Sequence, residues 1–267
     1  MDNIFETLDS PNFRKRLEPV MLYPKKIDRF LGIVRAELKS NPRLANCEMT
    51  SLCGAIVKAG QFGLDLDSVQ GHAYLTSKGN GCLLIVGYKG MIALGFRSGK
   101  LLSMEVENVC KNDFFEMEHG DNKGLRHKPK PTQEERGEVI GYYAYAHLIN
   151  NDKIFKYMNI DEIEELKKKA GVIKTPNSAW GKFEDQMSKK TVVRQLFKYQ
   201  TLSSEMDSVI GLDEMADAGV QSDALREIGK EFIVDEPTTK VNDILLKKRG
   251  QSQENENTTK NITTIVA

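Results

Sequence analysis

GYKGMIALGFRSGK, residues 87–100, opens on an aromatic and a cation, runs through a short apolar stretch, and closes on two more cations. The apolar run reads as a buried helix that must stop at Gly99. Tyr88 and Lys89 stand at its entry, Arg97 and Lys100 at its exit. A core helix gains nothing from cations at both ends unless they meet solvent or a negatively charged partner. What flanks the segment decides the fold. Before it, HAYLT and CLLIV surround Ser77, Lys78, Gly79, Asn80 and Gly81, a hairpin signal in which Gly and Asn supply the positive φ of a tight turn. After it, LLSMEVENVC reads as a further strand. A helix set between a hairpin and a strand points to an α+β fold.

Working outward, DFFEME is another strand candidate, and residues 119–137, with His127-Lys128-Pro129-Lys130-Pro131, read as a polar loop. EVIGYYAYAHLI alternates, placing Tyr143, Tyr145 and His147 on one face and Tyr142, Ala144 and Leu148 on the other. Asn150-Asn151-Asp152 turns it into KIFKYM. Strands joined by such short turns make an antiparallel sheet, with helices on one side. On the N-terminal side, Ile27, Phe30, Leu31, Val34 and Leu38 follow a helical period, with Lys25, Lys26, Arg29, Arg35 and Lys39 off the stripe. A second helix carries Met49, Leu52, Cys53, Ile56 and Val57 and ends near Gly60 to Gly63. Asn159 with Glu162 forms a capping-box pattern, opening a helix that stops near Gly171, and a long helix is expected from about 178 to 201.

The chain has 267 residues, 40% of them hydrophobic and 28% charged, enough for one large globular core. No stretch approaches the roughly 18 apolar residues of a spanning helix, and MDNIFETLDS lacks a basic-then-apolar leader, so the expected location is the cytoplasm. Cys47, Cys53, Cys82 and Cys110 form no CxxC pair and fit buried thiols in a reducing compartment. The net charge of zero hides an asymmetry. From residue 205 onward there are 13 acidic and 7 basic residues, which leaves 25 acidic and 31 basic ahead of them. A basic body suits polyanions. The division expected is a core over 1–204 and an acidic, largely flexible region over 205–267. Within the latter, 236–264 reads as disordered apart from Val241, Ile244 and Leu245, a candidate docking helix.

The strongest site-like signal is SAWGKFEDQMSKKTVVRQLFKYQT. Phe183, Met187, Lys190, Arg194, Phe197 and Thr201 fall on one helical stripe, with two cations in its middle. Val192, Val193, Leu196 and Tyr199 offer an alternative core face, which would leave the cations merely solvated. The reading favoured is a phosphate-facing surface of Lys182, Lys189, Lys190, Arg194 and Lys198, joined by Tyr88, Lys89, Arg97 and Lys100. Replacing Lys190 and Arg194 would then weaken binding and leave the fold intact. Tyr142, Tyr143 and Tyr145 read as sheet packing. Catalytic patterns fail one by one. GFRSGKL is a residue too short between glycines for a phosphate loop and has Leu101 where magnesium needs Ser or Thr. His72, His119, His127 and His147 lack metal spacing, and no metal or cofactor is expected. A nuclease using Asp65, Asp67 and Asp113 stays open as an alternative, as does a structural oligomer that does not touch DNA.

AIVKAGQFGLDLD, HAYL, GYKGMIALGFRSGK, GYYAYAHL and WGKFEDQMSKKTVVRQLFKY, in that order over roughly residues 50–200, resemble the RecT family of phage single-strand DNA annealing proteins. The resemblance implies binding of single-stranded DNA and annealing of complementary strands without ATP, by a homo-oligomer arranged as a ring or helical filament. It also implies a Rad52-like annealing core, with a curved antiparallel sheet backed by helices, and a phage exonuclease as usual partner; from its own residues, the acidic tail is the candidate region for reaching that exonuclease or a host single-strand binding protein. The helix around Ile27 to Leu38 is one candidate contact between subunits. The loop at 119–137 and the tail carry no part of the resemblance.

Overall fold

The computed structural model describes residues 2–233 apart from 172–174, 177, 201 and 221. Four helices lead the chain: α1 (Asp2–Asp9), α2 (Pro11–Leu17), α3 (Ile27–Ser40) and α4 (Met49–Phe62). The hairpin β1 (Ala73–Lys78) and β2 (Gly81–Val86) follows, then α5 (Tyr88–Arg97) and β3 (Leu101–Cys110). Next come β4 (Phe114–Glu118), β5 (Gly124–Lys128), the single turn α6 (Gln133–Arg136), β6 (Val139–Leu148) and β7 (Lys153–Asn159). The chain continues through α7 (Ile160–Lys169), α8 (Ala179–Lys182), α9 (Glu184–Lys198), α10 (Ser204–Asp217) and α11 (Asp223–Ile233).

The α+β reading and the antiparallel pairing hold. The strands, however, form three separate ladders: β1 with β2, β3-β6-β7, and β4 with β5. The register Glu105↔Tyr145↔Phe155 and Glu107↔Tyr143↔Tyr157 collects aromatic rings on one face of the three-stranded sheet. The alternate face, with Tyr142, Ala144 and Ala146 buried, packs on α9. Local signals explain most boundaries. Gly63 ends α4 in the left-handed conformation at φ 59°, and Asn159 with Glu162 closes a two-way capping box on α7. Two glycines of the opening motif allow close approach: a Cβ on Gly87 would stand 2.2 Å from the Gly71 carbonyl oxygen, and one on Gly90 2.2 Å from that of His72.

Residues 119–137 are not an irregular loop. They contain β5 and α6, the latter capped reciprocally by Thr132 and Glu135. The inner side of the β4–β5 hairpin lies on the aromatic sheet face, with ring centroids 5.0 Å apart for Phe115 and Tyr157 and 4.8 Å for His119 and Phe155. That cover buries Tyr143, while Tyr142 is buried on the α9 side. The long helix expected over 178–201 is interrupted at Phe183, whose backbone (φ −134°, ψ 46°) leaves the helical region between α8 and α9. Of the proposed stripe, Phe183 is exposed, Phe197 is buried, and Thr201 lies outside the described residues.

A boundary at residue 204 does not match the packing. One compact unit runs through Phe232, with Met206, Val209, Ile210 and Ala216 of α10 and Leu225 of α11 all buried. α11 crosses α4 so closely that a Cβ on Gly54 would fall 1.7 Å from the Leu225 carbonyl oxygen, and one on Gly229 would fall 1.7 Å from that of Thr50. The acidic residues of 205–233 are therefore mostly the outer faces of packed helices. Val241, Ile244 and Leu245 lie outside the described residues. The apolar stripe of α3 is buried within its own subunit, which removes it as an exposed subunit contact and leaves only its charged face outward.

Removing residues 234–267 is expected to leave the melting temperature nearly unchanged, whereas a chain ending at Ser204 is expected to lose cooperative unfolding. Scanning calorimetry of the two truncations checks this, and a sharp, native-like transition in the shorter one would contradict the packing of α10.

Candidate nucleic-acid interface

Folding sorts the nine sequence-predicted residues into three groups. Lys89, Lys100 and Lys182 are exposed, and Lys89 and Lys182 make no ion pair among the described residues. Tyr88 is half-buried at the entry of α5. Three others lean on neighbours: Arg97 donates to the Phe62 carbonyl oxygen at 2.6 Å, Lys189 meets Asp185 at 3.2 Å, and Lys198 meets Glu214 at 2.8 Å. Arg97 thus caps the end of α4 as well as marking the exit of α5. Its positive charge sits where the helix dipole is negative.

Lys190 and Arg194 are not on a solvated surface. Their side chains are only 4% and 9% exposed. Lys190 Nζ lies 2.7 Å from Asp213 Oδ1 and 3.3 Å from Asp217 Oδ1, and Arg194 Nη1 donates to Asp213 Oδ2 at 2.9 Å and to Asp217. The Asp213 carboxylate, fully enclosed, also accepts from the backbone N–H of Val86 at 3.3 Å. Burial pushes the Asp213 carboxyl up, against the pull of Lys190; for Asp217 burial acts the same way, but Lys190 and Arg194 outweigh it and hold that carboxyl below its ordinary value. Both cations therefore spend their charge inside the protein. Sequence reasoning missed the two aspartates because it assigned them to a flexible region. A signal existed: 190/194 and 213/217 share the i, i+4 spacing of facing charges on two helices.

A second buried charge centre organises the hairpin. Asp113 is fully enclosed and accepts from Arg136 Nη2 at 2.9 Å, from His127 Nε2 at 3.1 Å, and from the backbone N–H groups of Cys110 (2.9 Å) and Lys130 (3.0 Å). Burial alone would raise its pKa, yet the Arg136 hydrogen bonds and the other donors hold it well below the usual carboxylate range. His127 Nδ1 lies 3.3 Å from the Tyr143 hydroxyl, and burial, aided by Glu105 and Glu107, pushes the Tyr143 phenol up to about 12. The Asp65 carboxylate is held by Arg29 at 2.8 Å, and Asp67 caps its own turn through the N–H of Val69 at 2.8 Å. Asp65, Asp67 and Asp113 are thus each engaged by protein donors, and among the described residues no three His, Cys, Asp or Glu side chains form a metal-sized cluster.

One further feature had no place in the sequence reading. Tyr23, just ahead of Pro24, stands beside Lys26 and Arg29 in an open cleft against Gly60 and Gly63. The only sequence signal was an aromatic beside a basic helix start.

With this geometry in view, comparison with known proteins is informative. A sequence model described as the RecT family matches residues 28–228. Protein RecT of Escherichia coli (strain K12) is 32% identical over 222 residues, covering 79% of this chain and 80% of that protein. An uncharacterised protein of Bacillus subtilis (strain 168), YqaK, is 28% identical over 245 residues, covering 87% of this chain and 79% of its own length.

Two outcomes follow from the buried charges. Replacing Asp213 with Ala leaves Lys190 and Arg194 desolvated with one carboxylate between them, and is expected to cost about 3–5 kcal/mol in chemical denaturation. Lys190→Ala with Arg194→Ala is expected to destabilise comparably, the reverse of what a surface pair would do. For Asp113 the folded-state pKa lies below the unfolded 3.8, so its contribution is complete above that pH and is lost as pH falls below it. The stability gap between wild type and Asp113→Asn is therefore expected to be constant near neutrality and to narrow below about pH 3.8. A gap that widens on acidification would refute the assignment.

Proposed function

The chain belongs to the RecT family of recombination and annealing proteins, and on that footing we propose that it binds single-stranded DNA and anneals complementary strands without ATP, acting as a homo-oligomer in phage recombination in the bacterial cytoplasm. The observation that carries the reading is the family match across residues 28–228, nearly the whole compact unit. The surface chemistry is compatible with it. Lys89, Lys100 and Lys182 keep their charge outward, while the carboxylates that a nuclease would need are committed to internal hydrogen bonds.

An annealer has to hold backbones and leave the base edges available, because complementarity is tested by pairing and not by the protein. Exposed lysines meet that need, since each neutralises a phosphate and releases counterions without selecting a sequence. The two buried cations cannot take part without breaking their contacts to Asp213 and Asp217, so the grip falls to the outward-facing set. Association of several subunits lengthens the strand held in register. The segment beyond residue 233, with Val241, Ile244 and Leu245, is the region proposed to engage an exonuclease or a host single-strand binding protein.

The test is to mix dye-labelled complementary oligonucleotides, each in turn preincubated with the protein, without ATP or divalent ions, and to follow energy transfer while light scattering reports assembly. Faster annealing than in protein-free controls, with DNA-dependent growth in mass, is the expected result. Lys89→Ala and Lys182→Ala are each expected to flatten the dependence of log affinity on log salt by about 0.7. Strand cleavage in a parallel incubation with magnesium, or a monomer that leaves annealing unchanged, would sink the reading.

A further inference from the structure

The cleft beside Tyr23 has the parts of a nucleotide subsite. Pro24 starts a short turn ahead of α3, so Tyr23 is held at the corner between that turn and the end of α4. The residue is 42% exposed. Lys26 Nζ lies 4.9 Å from the ring centroid, close enough for a cation–π contact that orients the ring while the ammonium stays in solvent. Arg29, 53% exposed, meets both Asp65 oxygens at 2.8 Å through Nη1 alone, which leaves Nε and Nη2 as further donors. Gly63 makes the corner possible. At φ 59° it has no side chain where a Cβ would stand 2.8 Å from Tyr23 Cε2 and 3.2 Å from Arg97 Nη1. Lys26 and Arg29 are the cations lining the cleft and Asp65 its carboxylate, while Arg97, paired with Glu205, reaches the Gly63 end of it.

We propose that this cleft receives one nucleotide of a single DNA strand, its base stacked on Tyr23 and its phosphate held by Lys26 and Arg29. The proposal rests on the single-strand-binding reading above and adds to it a defined point of contact. A ring face not taken by Lys26 can stack on a base whose own face is open, as the bases of a single strand are, and adjacent cations match the phosphate that accompanies it. The arrangement offers no donor–acceptor pattern for a particular base, as a sequence-tolerant binder requires. It also gives Arg97 of the opening motif a role in both folding and binding: it caps α4 and biases the potential of the cleft above it.

The experiment is equilibrium binding of the full chain to a labelled oligothymidylate and to an abasic strand of equal length, using wild type, Tyr23→Ala, Tyr23→Phe and Lys26→Ala. Tyr23→Ala is expected to weaken oligothymidylate binding at least about 5-fold, the lower end of what one stacked base contributes, and Tyr23→Phe to preserve it. On the abasic strand, wild type and Tyr23→Ala are expected to bind alike. Lys26→Ala is expected to flatten the salt dependence on both strands by about 0.7. If wild type binds the strand and Tyr23→Ala binds it equally well, or loses equally on the abasic strand, the subsite is wrong while single-strand binding stands. If wild type binds neither strand, the functional reading falls and the subsite with it. A free thymidine monophosphate that binds as tightly as the oligomer would overturn the assignment to a strand.

Discussion

Four charged side chains packed against one another constrain the rest of this molecule. Lys190 and Arg194 on α9 and Asp213 and Asp217 on α10 are nearly removed from water, and each is tolerable there only because the others are present. Such a cluster adds little net stability over an apolar one, since desolvation consumes most of the Coulombic gain. Its effect is on register. With both partners spaced i, i+4, the two helices satisfy all four charges in one alignment, and Asp213 reaches the Val86 N–H at the end of β2 only in that alignment. The hairpin, α9 and α10 are tied at one point, and α5 packs against the same two helices.

Around that point the burial divides cleanly. α9 is buried through Ser188 and along Lys190–Phe197 save Gln195, with the three-stranded sheet on one side and α5 and α10 on another. The far face of the sheet is aromatic and covered by the β4–β5 hairpin, whose base is held by Asp113, Arg136 and His127. Apart from buried Lys167, which pairs with Glu164 and Glu184, two desolvated charge centres among the described residues flank the sheet, one on each side. Neither has charge to spare for a ligand. The lysines at the ends of α5, the exposed end of α8 and the cleft at Tyr23 lie at the periphery, outside both centres.

This distribution fits the physical demands of strand annealing. Peripheral lysines on rigid helix ends offer phosphate contacts without a fixed pattern of base recognition, and they are screened by salt, so binding stays reversible. An internal site built from Lys190 and Arg194 would have had to exchange two buried carboxylates for phosphates, at the cost of stripping both from water again. With the folding charges kept inside, the surface can change without disturbing the core.

The sequence alone determined what depends on neighbours along the chain. The hairpin around Gly79, the αL end of α4 at Gly63, the capping box of Asn159 and Glu162, the alternation of Tyr142 to His147 and the family resemblance were all legible, because propensity, capping and period 2 or 3.6 are local properties. It could not decide which of two helical faces of α9 met solvent. A lysine in an apolar stripe reads the same whether it snorkels, meets phosphate or finds a carboxylate, and the carboxylates lay about twenty residues away in a stretch whose acidity resembled a flexible tail. DFFEME was legible as a strand, but its partner β5 was lost for a like reason: it is short and polar, and Asp113 and the aromatic face beneath hold the pair in place. Tyr23 belongs to the same class. Lys26 and Arg29 are close to Tyr23 along the chain, but what sets Gly60, Gly63 and Arg97 beside that ring is packing between distant segments, which no local pattern encodes.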